Sequence, residues 1–377
     1  MDGPRVLFVS KPIAPPWNDG SKNLVRDVAR YLRRARPTVL TLPGAPPLGG
    51  RVTMEPIYTA PGRFAPAVAQ NARVVRRLVT GDPHDLWHFV FAPNPASSSV
   101  GRVAARLRRS MGWSGKIVQT VASAPRTFDG VARWIFGDAV VVVSEWMRGR
   151  LMGAGVKQQV RVIPPCARQP AEPSVEARRA IRGKLDLGEG PIVLYPGDYE
   201  VSRGAATVAR AVAAIVRARP EVRVVFACRA KTPRAAVARA AVEADLRAAG
   251  LLDRTRHAGD VDDMHALIAT SEVVAFPVDD LYGKVDVPLV LVEAMALGIP
   301  IVAARGGPLE VLTAARFVDP DDDEALASEV VQFLETPRAV EEAVGAGRRL
   351  YLSRFSPEVC AAAHDALYEE VLAAPLE

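Results

Sequence analysis

The chain reads as an α/β protein built from two doubly wound, Rossmann-like domains that face each other across a ligand cleft, and three observations lead there. Short β-branched runs alternate with longer helical patterns from end to end, the mark of parallel strands joined by helices. At 377 residues the chain exceeds the roughly 100 to 200 residues of a single domain. A Pro-rich stretch from Pro164 to Pro173 interrupts the alternation near the middle and reads as a linker. The expected division is residues 1–166, residues 167–355, and a last helix, 356–377. Doubly wound domains hold ligands at the carboxyl ends of their strands, so the site is expected between the two.

In the first domain the expected strands are Arg5 to Ser10, Thr38 to Leu42, Leu86 to Phe89, Lys116 to Val121, Val140 to Ser144 and Val160 to Ile163. The helices between them include Ser21 to Ala35, Pro66 to Thr80 and Ser98 to Arg109. The second domain repeats the scheme with strands Ile192 to Tyr195, Arg223 to Ala227, Arg254 to His257, Val273 to Phe276, Ile299 to Ala303 and Arg316 to Val318. A helix from Ala205 to Ala218 follows its first strand, and the chain ends in a helix from Ser356 to Leu372.

Composition removes several classes of function. The three cysteines, Cys166, Cys228 and Cys360, are far apart and odd in number, unlike a disulfide framework or a zinc cluster. Val6 to Val9 is too short for a signal core, and no apolar run approaches the roughly 18 residues of a membrane span, so a cytoplasmic protein is expected. Charge is unevenly spread. Residues 1–170 carry 25 Lys and Arg against 9 Asp and Glu, a net +16, while the rest carries 23 against 33, a net −10. The first half therefore either meets something anionic, such as a membrane surface or a phosphorylated lipid, or carries a solvated basic surface. Arg33, Arg34, Arg76, Arg77, Arg106, Arg108 and Arg109 are the candidates for that contact, and a nucleic acid is not expected as partner. No His, Cys, Asp and Glu group has metal-ligand spacing, and neither a Walker A nor a Gly-x-Gly-x-x-Gly fingerprint occurs.

The stretch Asp286 to Pro300 carries the sharpest functional signal. Pro288 suits a first helical turn, Gly298 suits the position after a helix, and Ile299 to Ala303 reads as the next strand. Glu293 thus stands mid-helix among Leu289, Val290, Leu291, Val292, Met295 and Leu297. A carboxylate there needs donors, either a ligand such as a sugar diol or a fixed cation.

With Phe276-Pro277, the run Glu293-Ala-Met-Ala-Leu-Gly-Ile-Pro300 and Gly306-Gly-Pro-Leu-Glu310, this segment resembles the nucleotide-sugar end of family 4 glycosyltransferases. The resemblance covers almost the whole chain. It implies the GT-B fold and a retaining transfer of sugar from a nucleotide-diphosphate sugar to an acceptor, a glycan or lipid-linked sugar held by the first domain. The donor is then a substrate, with no tightly bound cofactor and no metal expected. Two alternatives stay open: a non-catalytic sugar-nucleotide binder on the same fold, and a sugar phosphorylase.

The resemblance makes Glu293 the ribose ligand. Its partner acid in the family falls at Val285, so the sugar-facing charge is altered, and Asp286 replaces it by a one-residue shift or else caps the helix that follows. Related enzymes read Gly-Arg-x-x-x-x-Lys-Gly where this chain has Gly197-Asp198 through Arg203-Gly204. Arg203 keeps the phosphate-binding cation, Asp198 reverses the other, and Lys284 compensates from just before the Pro288 helix, or else Asp198 pairs with Arg203 and Lys284 is solvated. Gly197, Pro288, Leu289, Val290 and the base-contacting turn at Val261 complete the donor-binding set, with Gly20 admitting donor and acceptor at the first helix. His88 is expected at a strand end facing the cleft, as a catalyst or a core residue. Ser123 stands near the family's catalytic-site His and is expected to take over its contact with the donor sugar, unless that contact is lost.

Overall fold

The computed structural model describes residues 3–60, 68–230 and 232–375. Two compact units emerge. The first comprises Met1–Arg168, Tyr282–Leu289 and Arg354–Glu377, the second Gln169–Leu281 and Val290–Ser353. The chain leaves the first unit inside the Pro-rich stretch, but Tyr282–Leu289 also belongs to that unit rather than to the second.

In chain order the first unit has β1 (Arg5–Val9), α1 (Gly20–Tyr31), β2 (Arg36–Leu40), β3 (Thr53–Glu55), α2 (Val68–Thr80), β4 (Leu86–Val90), α3 (Pro95–Ser110), β5 (Lys116–Val121), β6 (Ala139–Val142), α4 (Glu145–Gly153) and β7 (Gln159–Val162). The second has α5 (Val175–Lys184), β8 (Ile192–Tyr195), α6 (Gly204–Ala218), β9 (Arg223–Phe226), α7 (Pro233–Ala248), β10 (Thr255–His257), α8 (Met264–Thr270), β11 (Val273–Phe276), α9 (Leu289–Ala296), β12 (Ile301–Ala304), β13 (Arg316–Val318), α10 (Asp323–Glu335) and α11 (Pro337–Leu350). Then α12 (Pro357–Ala373) returns to the first. Residues 66 and 67 of the helix expected from Pro66 lie outside the described residues.

Each unit is one parallel sheet. The first runs β3-β2-β1-β4-β5-β6-β7 and the second β10-β9-β8-β11-β12-β13. Strand order reverses at β1/β4 and at β8/β11, the topological switch points where such sheets take ligands. The central strands are buried at every position in β4, β5, β8 and β11, because helices cover both faces. Short, partly exposed β3 lacks that apolar continuity.

Asp365 explains why α12 seats on the first unit. Its buried carboxylate accepts the backbone N–H groups of Arg33, Arg34 and Ala35 at 2.9, 3.0 and 2.9 Å, just past the end of α1. Those amides follow the last helical turn and would otherwise be stranded under the packed helix.

Candidate active site

In the first unit, the chain leaving β1 turns into α1 through Asp19, which caps the helix. Asp19 accepts from Ser21 N at 3.0 Å and Lys22 N at 3.3 Å, and Lys11 Nζ donates to it at 2.7 Å. Burial pushes this carboxyl up, but the Lys11 charge and the hydrogen bonds outweigh it and hold it down to about 2. Gly20 opens the helix because Val285 lies against it: a Cβ at residue 20 would stand 2.9 Å from Val285 Cγ2. Val285, at the position of the family's sugar-facing acid, is a core side chain of this unit.

Asp286 faces inward as well. Its N–H donates to Ala122 O at 2.9 Å, which ties the Tyr282–Leu289 segment to the end of β5. Its Oδ2 accepts from Ser144 Oγ at 3.2 Å, and Ser144 Oγ in turn accepts from Met147 N at 3.1 Å to cap α4. The other oxygen, Oδ1, is buried without a hydrogen bond. Burial pushes Asp286 up to about 7, against smaller opposing effects of the Ser144 hydroxyl and the Ala124 amide. The side chain turns to Ser144, so the expected alternative of a cap on α9 does not hold. Ser123, partly exposed, follows Ala122 beyond the end of β5, and Lys284 is partly exposed beside Gly283 in the docked segment.

Of its two expected roles, His88 takes that of the core residue. It lies in the middle of β4, 1% exposed, with Nδ1 2.7 Å from Tyr368 Oη and Nε2 2.6 Å from Thr120 Oγ1. Burial first, then His364, pushes it well below the usual imidazole range. Both ring nitrogens are engaged within the core, which leaves neither open to a substrate.

In the second unit, Gly197 follows β8 because the Tyr195 ring folds over it; a Cβ at residue 197 would come within 2.1 Å of Tyr195 Cζ. Tyr195 Oη donates to Asp198 O at 2.8 Å, and Asp198 Oδ1 accepts from Glu200 N at 3.2 Å and Val201 N at 2.8 Å. Asp198 is thus 5% exposed and shapes its own loop. The expected Asp198–Arg203 pair does not form. Arg203 instead donates through Nε to Asp279 Oδ2 at 2.9 Å and through Nη1 to Asp321 Oδ2 at 3.1 Å, at the start of α6. Asp321 holds a left-handed φ of 69° and also accepts from Thr207 Oγ1 at 3.2 Å and from Arg210.

Glu293 sits on α9 with its side chain 20% exposed, and Oε1 is 3.5 Å from His265 Nε2 on α8. The helix is apolar, yet the carboxylate reaches its edge. Val290 stands one turn earlier on the same helix, while Pro288 and Leu289 lie on the first-unit side of the division. Val261 is partly exposed in the loop after β10, two residues beyond Gly259 at φ 65°. Close by in that unit, His257 stacks on Phe226 with centroids 4.9 Å apart and accepts or donates at Nδ1 to Tyr199 Oη at 2.6 Å. Burial pushes His257 down to about 4.

Gly20, Ser123, Lys284, Asp286, Pro288 and Leu289 therefore belong to the first unit, and Gly197, Arg203, Val261, Val290 and Glu293 to the second. Sequence reasoning missed Ser144, His265, Asp279 and Asp321. Ser144-Glu145 after a β-branched run is a legible helix start, whereas the two aspartates carry no motif that marks them as partners of Arg203. Several of the seven arginines proposed for an anionic surface are spent internally. Arg77 is paired with Glu55 at 2.5 Å, Arg108 donates to Val79 O and Gly81 O, Arg34 pairs with Glu369, and Arg109 approaches Asp138.

Two family models match. Glycosyltransferase Family 4 covers residues 18–168 and Glycosyl transferases group 1 covers residues 190–336. A curated relative, MMP alpha-(1->4)-mannosyltransferase of Mycolicibacterium hassiacum, is 36% identical over 117 residues, which is 30% of this chain and 28% of that enzyme. Among solved structures, Anabaena HepE in complex with UDP-glucose superposes with a TM-score of 0.72 at 18% identity, over 98% of this chain and 99% of the other. Sucrose-phosphate synthase from Thermosynechococcus elongatus gives 0.73 at 21% identity, over 99% and 100%. At these identities the structures attest the fold. With both sheets and both matched regions in place, the protein is a glycosyltransferase of the GT-B type. It belongs with the family 4-like enzymes.

Proposed function

We propose that this enzyme moves a hexosyl group from a nucleoside diphosphate sugar to a carbohydrate acceptor with retention at the anomeric carbon. The observation that carries the donor reading is Glu293. It is a carboxylate at the edge of an apolar helix whose one ion-pair partner among the described residues is the half-exposed His265, so it retains acceptor capacity for a ribose diol. The relative's mannosyltransferase activity and the UDP-glucose held by HepE support a hexose donor.

Arg203 is the cation proposed to meet the diphosphate. Its side chain is 58% exposed, and exposed ion pairs are screened by solvent and contribute little, so exchanging Asp279 and Asp321 for a phosphate costs little. Lys284 is the second cation, in place of the family's Arg, now Asp198. Positive charge aimed at the leaving diphosphate stabilises the transition state more than the ground state. The diphosphate oxygen takes the acceptor proton as the glycosidic bond breaks, which agrees with the core position of His88. Asp286 and Ser123 are proposed on the sugar side.

For the first unit we propose contact with an anionic membrane face, through α3. Val100, Val103, Leu107 and Met111 are 44, 52, 48 and 61% exposed and recur at spacings of three and four along one stripe, with Arg106 exposed on the same helix and Arg76 on neighbouring α2. An apolar stripe beside exposed arginines is complementary to acidic headgroups.

Calorimetry of uridine, guanosine and adenosine diphosphates and their hexoses, with wild type and Glu293→Gln, tests the donor reading. Saturable binding weakened by the substitution supports it; no binding of any of them refutes it.

A further inference from the structure

Two thiols that the transfer reaction does not use lie together in the first unit. The chain first leaves that unit after Arg168 and finally re-enters it at Arg354, and these two stretches run side by side. Ala167 N–H donates to Phe355 O at 3.4 Å, and Cys360 Sγ contacts Pro164 O at 3.4 Å. Cys166, between Pro164 and Ala167, is 0% exposed and Cys360 2%. Cys166 and Cys360 belong to the same buried cluster of side chains in this unit. On α12, one turn along, His364 Nδ1 lies 3.8 Å from Cys360 Sγ and 2.9 Å from Cys360 O. An i, i+4 pair shares one face of a helix, which fixes this imidazole beside the thiol.

We propose that Cys360 and Cys166 form an oxidisable dithiol, in which hydroperoxide converts Cys360 to a sulfenic acid and Cys166 closes it to a disulfide. In the first step the Cys360 thiolate attacks one peroxide oxygen, the O–O bond breaks, and hydroxide leaves and takes up the proton released from the thiol as water. In the second, the Cys166 sulfur attacks the sulfenic sulfur, and a second water leaves with the Cys166 proton. Two thiols and one peroxide thus give one disulfide and two waters.

The position of the imidazole assigns the roles: His364 Nδ1 lies 3.8 Å from Cys360 Sγ. The neighbouring Cys166 and His364 side chains push Cys360 down against its burial, whereas Cys360 and burial push Cys166 up. The thiolate is the nucleophile, and a protonated neighbour suits the resolving role. Cys228 serves as a matched control: it is also 2% exposed but lies in the second unit. The disulfide would close a loop that contains all of the second unit, and cross-links across long loops restrict the unfolded chain most.

The test treats the intact protein with hydrogen peroxide, denatures it in acid with alkylating agent, and maps the thiols by mass spectrometry. Free thiols should fall from three to one, with a Cys166–Cys360 peptide lighter by two hydrogens, Cys228 still alkylated, and reversal by dithiothreitol. In Cys166→Ala the disulfide should be replaced by a dimedone-trapped sulfenic acid at Cys360. Oxidation of Cys228 as fast as Cys360, or a Cys166–Cys360 peptide absent while other adducts accumulate, overturns the proposal. The wild-type thiol count decides the matter even if the variant fails to fold.

Discussion

Asp286→Asn should make the first unit more stable at neutral and alkaline pH, and the gain should vanish in acid. The substitution keeps the shape and the hydrogen bond to Ser144 while deleting the ionisable group. In the fold Asp286 takes up its proton near pH 7, against about 3.8 in an unfolded chain. Below pH 4 both states are protonated and the group contributes no pH dependence. Between about 4 and 7 the unfolded chain binds fewer protons than the fold, so wild-type stability falls as pH rises; above 7 the loss is complete. A pKa difference of about 3, at about 1.4 kcal/mol each, makes that loss roughly 4 kcal/mol, an upper figure because buried sites relax. All five tryptophans, Trp17, Trp87, Trp113, Trp134 and Trp146, lie in the first unit, so their fluorescence follows the unit that contains Asp286 even though a two-unit chain need not unfold in one step. Urea unfolding by tryptophan emission from pH 4.5 to 8.5 gives the comparison. The variant should pull ahead of wild type by about 1.4 kcal/mol per pH unit up to about pH 7, then run parallel. Parallel curves across the whole range would mean that the carboxylate is ionised in the fold and that its inward position carries no such penalty.

Glu293→Gln should weaken nucleoside diphosphate binding by roughly 10- to 150-fold, the loss of about 1.5 to 3 kcal/mol in a charge-assisted hydrogen bond, with an unchanged melting temperature; unaltered affinity with a lowered melting temperature would make Glu293 structural. Arg203→Ala and Lys284→Ala should each lower turnover by about 10² to 10³ while changing intact-donor affinity much less, and a fully active Lys284→Ala would end its role as the second cation. Co-sedimentation with anionic vesicles should be strong at low salt, weak on neutral vesicles, and lost in Leu107→Asp; equal pelleting with both lipids, or none, would exclude the membrane contact, and saturable capture by a soluble protein instead would assign the stripe to a protein partner.

Fold was legible where burial is continuous. Lys116–Val121, Ile192–Tyr195 and Val273–Phe276 run as their apolar patterns indicate, whereas Thr53–Glu55 pairs at an edge with no pattern of its own. Glu293 was legible as an acid inside an apolar run, and the Gly-Gly turn likewise, where Glu310 Oε1 accepts from Gly306 N at 2.9 Å. The sequence could not show His88 meeting Thr120 and Tyr368, which lie 32 and 280 residues away and convert a strand histidine into a core hydrogen-bond hub. Nor could it show the direction of a charge. Asp198 read as a repulsive carboxylate beside a phosphate, yet its oxygen is spent on the amides of its own loop.

The two departures from the family pattern are linked by charge. By the resemblance to family 4 enzymes the chain lacks a cation at residue 198 and an anion at residue 285, which the proposed donor reading assigns to the phosphate and to the sugar. Val285 has become core, and Asp198, though acidic, is turned into its loop and 5% exposed. The net charge offered to the donor therefore changes far less than either substitution alone would imply, since a carboxylate that accepts two amide hydrogen bonds away from solvent projects a weakened field. On the proposed reading, what is lost at residue 285 is directional, a hydrogen-bond acceptor for a sugar hydroxyl that Asp286, one residue on and turned to Ser144, presents differently. A site without that acceptor discriminates less among hexoses that differ at the hydroxyl it would have held, because discrimination comes from leaving a built polar group unpaired by the wrong substrate. Transfer rates from gluco- and manno-configured donors should accordingly lie closer together here than in an enzyme with the full acid pair, and restoring the acid as Val285→Glu should not separate them, because Val285 Cγ2 already packs where a Cβ on Gly20 would reach and a carboxylate in that core would face no donor.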